Sequence, residues 1–417
     1  MDILAMLKIV INTISATVFT NIGFVVFLFI IYMQYKKNVQ LQEIVYGKPK
    51  TSLNSLVLTS VLSGMVGGIV ISIPMVIGGI SFSQDMGMTI LYLIIISIVL
   101  MMIEPRFVCF SYSGGILASV SLIFGLGKID VTGILMLVAL LHLLEAILIY
   151  MDGYRGAIPV FLQREDGSVS GGFSMQRFWP IPIALILFAG YGTSTGDVVS
   201  TPDWWPIIRP YIEPARLKEA LFTAVPVAAI LGYSEFTSSY MPKEKCKSSA
   251  LKLSLFSIIL LLLVIGSSYV HALIYLVAIF APVGHELFIW YEKRLERSRP
   301  SLFSYEDKGL KVLDTMPDGA GEKMGIQPGD TVIAINNREI SSEDGLNKFF
   351  DNYVNYIWVD VKNRLGEIRT IEFKDYKNGV DSLDVIIVPD NKDNLITVKE
   401  QSGYIKRLFS KITKISK

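Results

Sequence analysis

A chain of 417 residues that is 52% hydrophobic and only 18% charged is too apolar for one soluble domain and fits a polytopic membrane protein. The formal net charge of +1 hides an asymmetry: residues 1–290 are sparsely charged, whereas 291–417 are dense in Lys, Arg, Asp and Glu. The two cysteines, Cys109 in an apolar stretch and Cys246 in a lysine-rich one, supply no disulfide framework.

A membrane-spanning helix needs about 20 mostly apolar residues. Segments of that kind fall at 9–33, 53–77, 88–103, 107–126, 131–150, 179–191, 221–233 and 253–290. The first has no small-residue cleavage site before Tyr35-Lys36-Lys37, so it reads as an anchor rather than a signal peptide. The sixth and seventh are short and carry Pro180, Pro182 and Pro226, so re-entrant or tilted helices are expected there. The last is too long for one span, and Gly266-Ser267-Ser268 is the natural place for a turn. The expected fold is therefore an α-helical bundle of about eight or nine spans.

Lysine and arginine crowd the loops 34–52, 151–178 and 234–252 and the stretch after the last span, which places those loops in the cytoplasm. With nine spans the N-terminus lies outside and the C-terminal region inside. Gly64 and Gly68 form a Gly-xxx-Gly pair on one helix face, and Gly114 with Ala118 repeats the pattern, allowing close backbone approach.

His142 and Glu145, three residues apart in the fifth segment, share a helix face. Ionisable groups inside a membrane suggest function, although a polar pair that locks neighbouring helices explains them as well. Histidine occurs only at 142, 271 and 285, so no metal site and no cofactor are expected. His285-Glu286 begins a zinc-protease motif, but Ile289 stands where the second histidine belongs, which excludes that class. P-loop and dinucleotide motifs do not occur. The expectation is a non-enzymatic protein with no nucleic-acid partner.

The charged run 292–304 reads as a linker, and a small α+β unit follows at 305–390. In GLKVLDTMPDGAGEKMGIQPGDTVIAINNREI, Leu310, Val312 and Leu313 make a strand that Pro317-Asp318-Gly319 ends. Residues 320–324 form a helical turn capped by Gly325. Pro328-Gly329-Asp330 is a turn, residues 331–335 a second strand, and Asn336-Asn337 a hairpin turn. This order resembles a bacterial PDZ domain.

The resemblance implies capture of an extended peptide as an added strand. It assigns Gly309, Leu310, Lys311 and Val312 to the carboxylate-binding loop and Leu346, Phe349 and Phe350, on a helix at 343–353, to the opposite wall. Residues 391–417 form a tail in which Ile405, Leu408, Phe409, Ile412 and Ile415 share one face of a basic amphipathic helix suited to anionic membrane lipid.

Across the whole chain, Glu104-Pro105-Arg106-Phe107-Val108-Cys109-Phe110-Ser111-Tyr112-Ser113-Gly114-Gly115, Leu141-His142-Leu143-Leu144-Glu145, Phe178-Trp179-Pro180-Ile181-Pro182, Gly284-His285-Glu286 and Leu383-Asp384-Val385-Ile386-Ile387-Val388-Pro389 resemble MinJ-type proteins. Asp384 stands where that pattern leads one to expect glycine. The resemblance implies a multi-pass scaffold in division-site selection, enriched at septum and poles. It would bridge a polar DivIVA-like coiled-coil protein to MinD and its inhibitor MinC, with other divisome proteins and a homo-oligomer left open. The alternatives are a membrane PDZ adaptor for a protease or secretion machine, and a transporter using His142 and Glu145.

Overall fold

Helix α6 (Val131–Asp152) is apolar on every side, and the membrane region is built around it. The computed structural model describes residues 3–126, 129–163, 169–192, 205, 219–306 and 308–389. Within its most apolar window, 72% of α6 is buried, against 22–39% for the other long helices. A helix hydrophobic all round belongs in the middle. The others keep one buried stripe and turn residues such as Phe29, Leu62, Val99, Leu255 and Ile279 outward, an apolar belt of the kind a bilayer covers.

The other helices of this region are α1 (Ile3–Thr20), α2 (Ile22–Tyr46), α3 (Leu53–Ile77), α4 (Met86–Ile103), α5 (Phe110–Phe124), α7 (Pro242–Ser267) and α8 (Leu273–Ser298). Among the described residues, six helices are long and apolar enough to cross a membrane (α2, α3, α4, α6, α7 and α8), and α1 and α5 are shorter apolar helices. The expected eight or nine spans exceeds these six because segment 107–126 holds only the 15-residue α5 and segments 179–191 and 221–233 are strands.

The first expected span, 9–33, is two helices. Asn21 breaks it, its side-chain oxygen accepting from the Phe24 N–H at 3.3 Å as an N-cap. The proline-bearing segments are strands: β3 (Val169–Tyr191) pairs antiparallel with β4 (Ala220–Thr237) over nearly its whole length. The split of the last run is where the glycine and serines suggest, with α7 ending at Ser267 and α8 starting at Leu273.

Sheet backbone at membrane depth is tolerated only where protein satisfies its polar groups. One side of β3 is bonded to β4 and the ends of the other side to β2 (Ile158–Gln163) and the two-residue β1 (Ser81–Phe82). Between those ends the free edge faces α2 and α3. There the Phe178 N–H donates to the Tyr35 hydroxyl at 3.1 Å, and the Ala184 N–H donates to Ser72 Oγ at 3.0 Å. The two intervening positions of that edge are Pro180 and Pro182, which have no N–H to satisfy. The prolines are therefore what allows this strand to lie against a helix. Side chains alternate accordingly, with Trp179, Ile181, Ile183 and Leu185 buried in the bundle core.

The Gly-xxx-Gly pair serves this same contact. A Cβ at Gly64 would stand 2.2 Å from the Pro180 carbonyl oxygen, and one at Gly68 would stand 2.1 Å from that of Pro182. The close approach is helix on strand within one chain, not helix on helix. Gly114 lies against Val138 and Ile134 of α6, while its neighbour Gly115 lets α5 meet Pro282 of α8.

Buried charges are matched in pairs. Arg177 of β3 is fully buried and bonds Asp152 at the end of α6, which also accepts from Trp179 Nε1 at 3.1 Å and pairs with Arg155 at 3.0 Å. Glu292 of α8 joins Lys245 (2.8 Å) and Lys252 of α7. Glu296 accepts from the Ser238 and Ser239 N–H groups at 2.7 and 2.9 Å. The stretch 292–298 is thus the last two turns of a packed helix, which shortens the expected linker to the residues after Ser298.

The C-terminal unit comprises β5 (Leu310–Thr315), α9 (Ala320–Met324), β6 (Thr331–Ile335), β7 (Arg338–Glu339), α10 (Glu343–Phe350), β8 (Tyr356–Lys362), β9 (Ile368–Lys374) and β10 (Val385–Ile387). Its sheet runs β10-β5-β6-β8-β9, with β7 paired to β6. Leu310, Val312, Val332, Ile335, Ile357, Val359 and Leu383 make the core. The turn residues do what their types require: Gly325 and Gly329 take φ of 78° and 89°, and Asn336-Asn337 take 48° and 59° in the two-residue hairpin. Asp384 adopts φ 51°, the conformation for which glycine is the default, and its carboxylate accepts from the Ala320 N–H at 3.0 Å. The amphipathic tail at 391–417 lies outside the described residues.

Candidate functional site

The C-terminal unit is docked on the membrane bundle. Leu313 of β5 and Val388, just past β10, pack with Phe303 against Phe173 of β3, with Ile386 at their side. Gly171 leaves room for this, since a Cβ there would lie 2.9 Å from Leu313. The Gly171 N–H donates to the Phe303 carbonyl at 2.8 Å.

Polar bonds frame the apolar patch. Asp314, almost fully buried, accepts from the Tyr46 hydroxyl at 2.7 Å and from Lys50 Nζ at 2.9 Å. Lys48 pairs with the exposed Asp318 at 2.7 Å. The Lys48 ammonium holds the Asp318 carboxyl below its usual pKa by hydrogen bond and charge.

Because hydrogen bonds to charged groups are worth about 1.5–3 kcal/mol, the Asp314 anchor is testable. Asp314→Lys is expected to loosen the docked unit and open the 299–306 connection to proteases in membranes. Combining it with Lys50→Asp is expected to restore protection in part. Equal protection in the wild type and the Asp314→Lys variant would contradict the anchoring role.

The peptide-binding residues read from the sequence occupy distinct places. Leu310 and Val312 point into the domain core, and β5 is an interior strand with β10 on one side and β6 on the other. Strand addition directly to β5 therefore has no free edge: the chain's own β10 fills it, the Val388 N–H donating to the Lys311 carbonyl at 2.9 Å. Lys311 turns its ammonium to Glu306 (2.9 Å) and Thr331. On α10, Leu346 is buried and Phe349 and Phe350 pack part-buried on the same core, their rings edge to face at 5.1 Å. A small cleft opens between the two walls, lined by Tyr305, Leu310, Ser342, Glu343, Ile387 and Val388. The edge strand on the β5 side of the sheet is thus β10, and the reason is the return of residues 384–388, a long-range pairing that local sequence does not announce.

Gly309 adopts φ 97°, and a Cβ there would lie 2.7 Å from the Val332 carbonyl oxygen. Its constraint comes from β6 of its own domain. Gly309→Ala is expected to destabilise the domain by about 1–3 kcal/mol, read as a lower unfolding midpoint. An unchanged midpoint would show that the loop relaxes freely.

A second polar centre lies inside the bundle. Cys109 is the N-cap of α5, His142 sits midway along α6, and His285 midway along α8. Cys109 Sγ is 3.0 Å from His142 Nε2 and 3.7 Å from His285 Nε2, and the two imidazole centroids are 5.1 Å apart. All three ligand-type atoms lie within 4.8 Å of one another. The Nδ1 of His142 donates to the Val138 carbonyl at 2.7 Å, which leaves Nε2 with its lone pair. Both its nitrogens are thus engaged away from Glu145, which is half-buried one turn along.

Phe256 and Tyr112 wall the centre, with ring centroids 5.6 and 5.2 Å from that of His285. Beside it, Glu286 accepts from the Tyr112 hydroxyl at 2.6 Å and pairs with Arg106 at 2.9 Å. The Glu104-Pro105-Arg106 turn, a 3-10 turn over Pro105–Val108, therefore tethers the entry of α5 to α8. The sequence offers His142 and Glu145 as a pair along one helix. The fold instead joins His142 to residues 33 and 143 positions away, so counting ligands along one segment misses the cluster. The available signal was that Cys109, His142 and His285 each fall in a segment carrying the family likeness.

The fold defines a class: a membrane-embedded helical bundle with a docked PDZ domain. Residues 294–344 match the PDZ domain family. The chain is also similar to the cell division topological determinant MinJ of Bacillus subtilis (strain 168), 18% identical over 349 residues that cover 79% of this chain and 83% of the relative. Both findings fit a MinJ-type protein, with a likeness spanning bundle and PDZ domain together.

Proposed function

We propose that the protein is a non-enzymatic membrane scaffold in division-site selection, bridging a polar DivIVA-like protein to MinD and MinC. The observation that carries the reading is a PDZ domain fixed to a polytopic bundle in a chain resembling a division determinant over about four-fifths of its length. The resemblance supplies the partners.

The PDZ domain faces the cytoplasm in this reading. Supporting it, Lys48 and Lys50 of the basic 34–52 loop contact the domain directly. The basic loop after β4 and the end of α8 reach the same side, where the Leu302 N–H donates to the Ser238 carbonyl at 2.8 Å. Lysine-rich loops mark the cytoplasmic face. Peptide capture uses the cleft between β10 and α10, with Leu310 and Leu346 behind it and Phe349 and Phe350 on the helix.

Crosslinking in dividing cells followed by purification of the tagged full chain tests the bridge. The DivIVA-like protein and MinD are expected among the captured proteins, and removal of residues 300–390 is expected to lose at least one of them. Recovery of neither with the full chain would end the bridging reading. Recovery of a protease or translocase instead would favour the adaptor alternative.

A further inference from the structure

We infer that Cys109, His142 and His285 form a binding site for a single zinc(II) ion that clamps α5, α6 and α8 together. The proposal is independent of the division-site reading.

Zinc takes thiolate sulfur at about 2.3 Å and imidazole nitrogen at about 2.0–2.1 Å, which in a tetrahedron sets sulfur and nitrogen about 3.6 Å apart. The two distances here, 3.0 and 3.7 Å, bracket that value. The ligand set, one soft sulfur with two imidazoles, suits zinc and leaves a fourth position for water or a further oxygen ligand. The three residues come from three separate helices, so their convergence is a product of the tertiary fold rather than of one helix repeat.

Two further observations point to an ion rather than to hydrogen bonding alone. First, the tautomer of His142 is set by the Val138 carbonyl, which presents Nε2 to the centre. Metal-bound histidines are oriented in this way by an outer hydrogen bond. Second, one thiol proton can serve only one imidazole: it accounts for the Cys109–His142 contact at 3.0 Å and leaves Nε2 of the buried His285 with only a long 3.7 Å contact to the same sulfur. Buried polar atoms without a good partner are rare and costly. An ion shared by the three groups gives each imidazole a strong partner in an enclosure of aromatic rings. Cys246 offers a control, since this second thiol is buried beside Met175 at 3.7 Å, away from the cluster.

The test is made on the full chain purified in mild detergent. After dialysis against zinc-free buffer, elemental analysis is expected to find about one zinc per chain. Cobalt(II) loading is expected to give a thiolate-to-cobalt charge-transfer band together with intense tetrahedral d–d bands. Cys109→Ala and His285→Ala are each expected to weaken zinc binding by more than about 100-fold, while Cys246→Ala leaves it unchanged. Zinc content in the wild type no higher than in Cys109→Ala would overturn the proposal. So would a cobalt spectrum without the thiolate band, a readout on the unmodified chain that stands even where a variant fails to fold.

Discussion

Asp152→Asn is expected to destabilise the bundle by about 3–5 kcal/mol, the usual cost of removing one member of a buried ion pair. Arg177 is fully buried, and Asp152 is its only carboxylate partner among the described residues. Its other bonds, to Thr59 Oγ1 at 3.3 Å and the Leu56 carbonyl at 3.5 Å, are long and neutral. The reverse change, Arg177→Met, is expected to cost less. Asp152 then keeps Arg155 at 3.0 Å and the Trp179 indole at 3.1 Å, and methionine fills much of the vacated space. Thermal unfolding of the detergent-solubilised protein reads the order. Arg177→Met proving the more damaging of the two would show that the guanidinium, rather than the carboxylate, organises this junction of β3 with α6.

The second large effect separates two adjacent glycines of α3. Replacing a mid-helix glycine by alanine gains about 1 kcal/mol of helix propensity at either position. At Gly68 that gain is overwhelmed, because the new Cβ stands 2.1 Å from the Pro182 carbonyl oxygen, backbone against backbone. Overpacking of this sort costs about 1–3 kcal/mol and sometimes more, and here it pries the hairpin from its helix. At Gly67 the Cβ meets Leu144 Cδ1 at 3.1 Å, the far end of a flexible side chain that can yield. Gly68→Ala is therefore expected to unfold at lower temperature than the wild type and Gly67→Ala at nearly the same temperature. Equal tolerance at both sites would contradict the packing of α3 directly on β3.

The PDZ domain was legible because its punctuation is local. Gly325, Gly329 and Asn336-Asn337 each call for a left-handed backbone conformation at a fixed offset, and each adopts one. The membrane helices were legible from apolar length, as was the turn that divides α7 from α8. The β3–β4 hairpin was not. Its apolar residues satisfy a membrane span as readily as a strand, and what distinguishes them is the placement of Pro180 and Pro182 on an edge facing α3. That arrangement rests on Tyr35 and Ser72, more than a hundred positions away in the chain. The Cys109–His142–His285 cluster escaped for the same reason, since three helices must pack before its members meet. The place of β10 beside β5 was not legible because it depends on a strand some 70 residues further on returning to pair with Leu310–Thr315.

The most direct test of the division-site account is the position of the full chain in living cells. A fluorescent fusion expressed from the native locus is expected to concentrate at forming septa and at cell poles, and to lose that pattern when the DivIVA-like protein is depleted. Uniform membrane fluorescence through the division cycle, in cells where the fusion is intact and stable, would contradict the account.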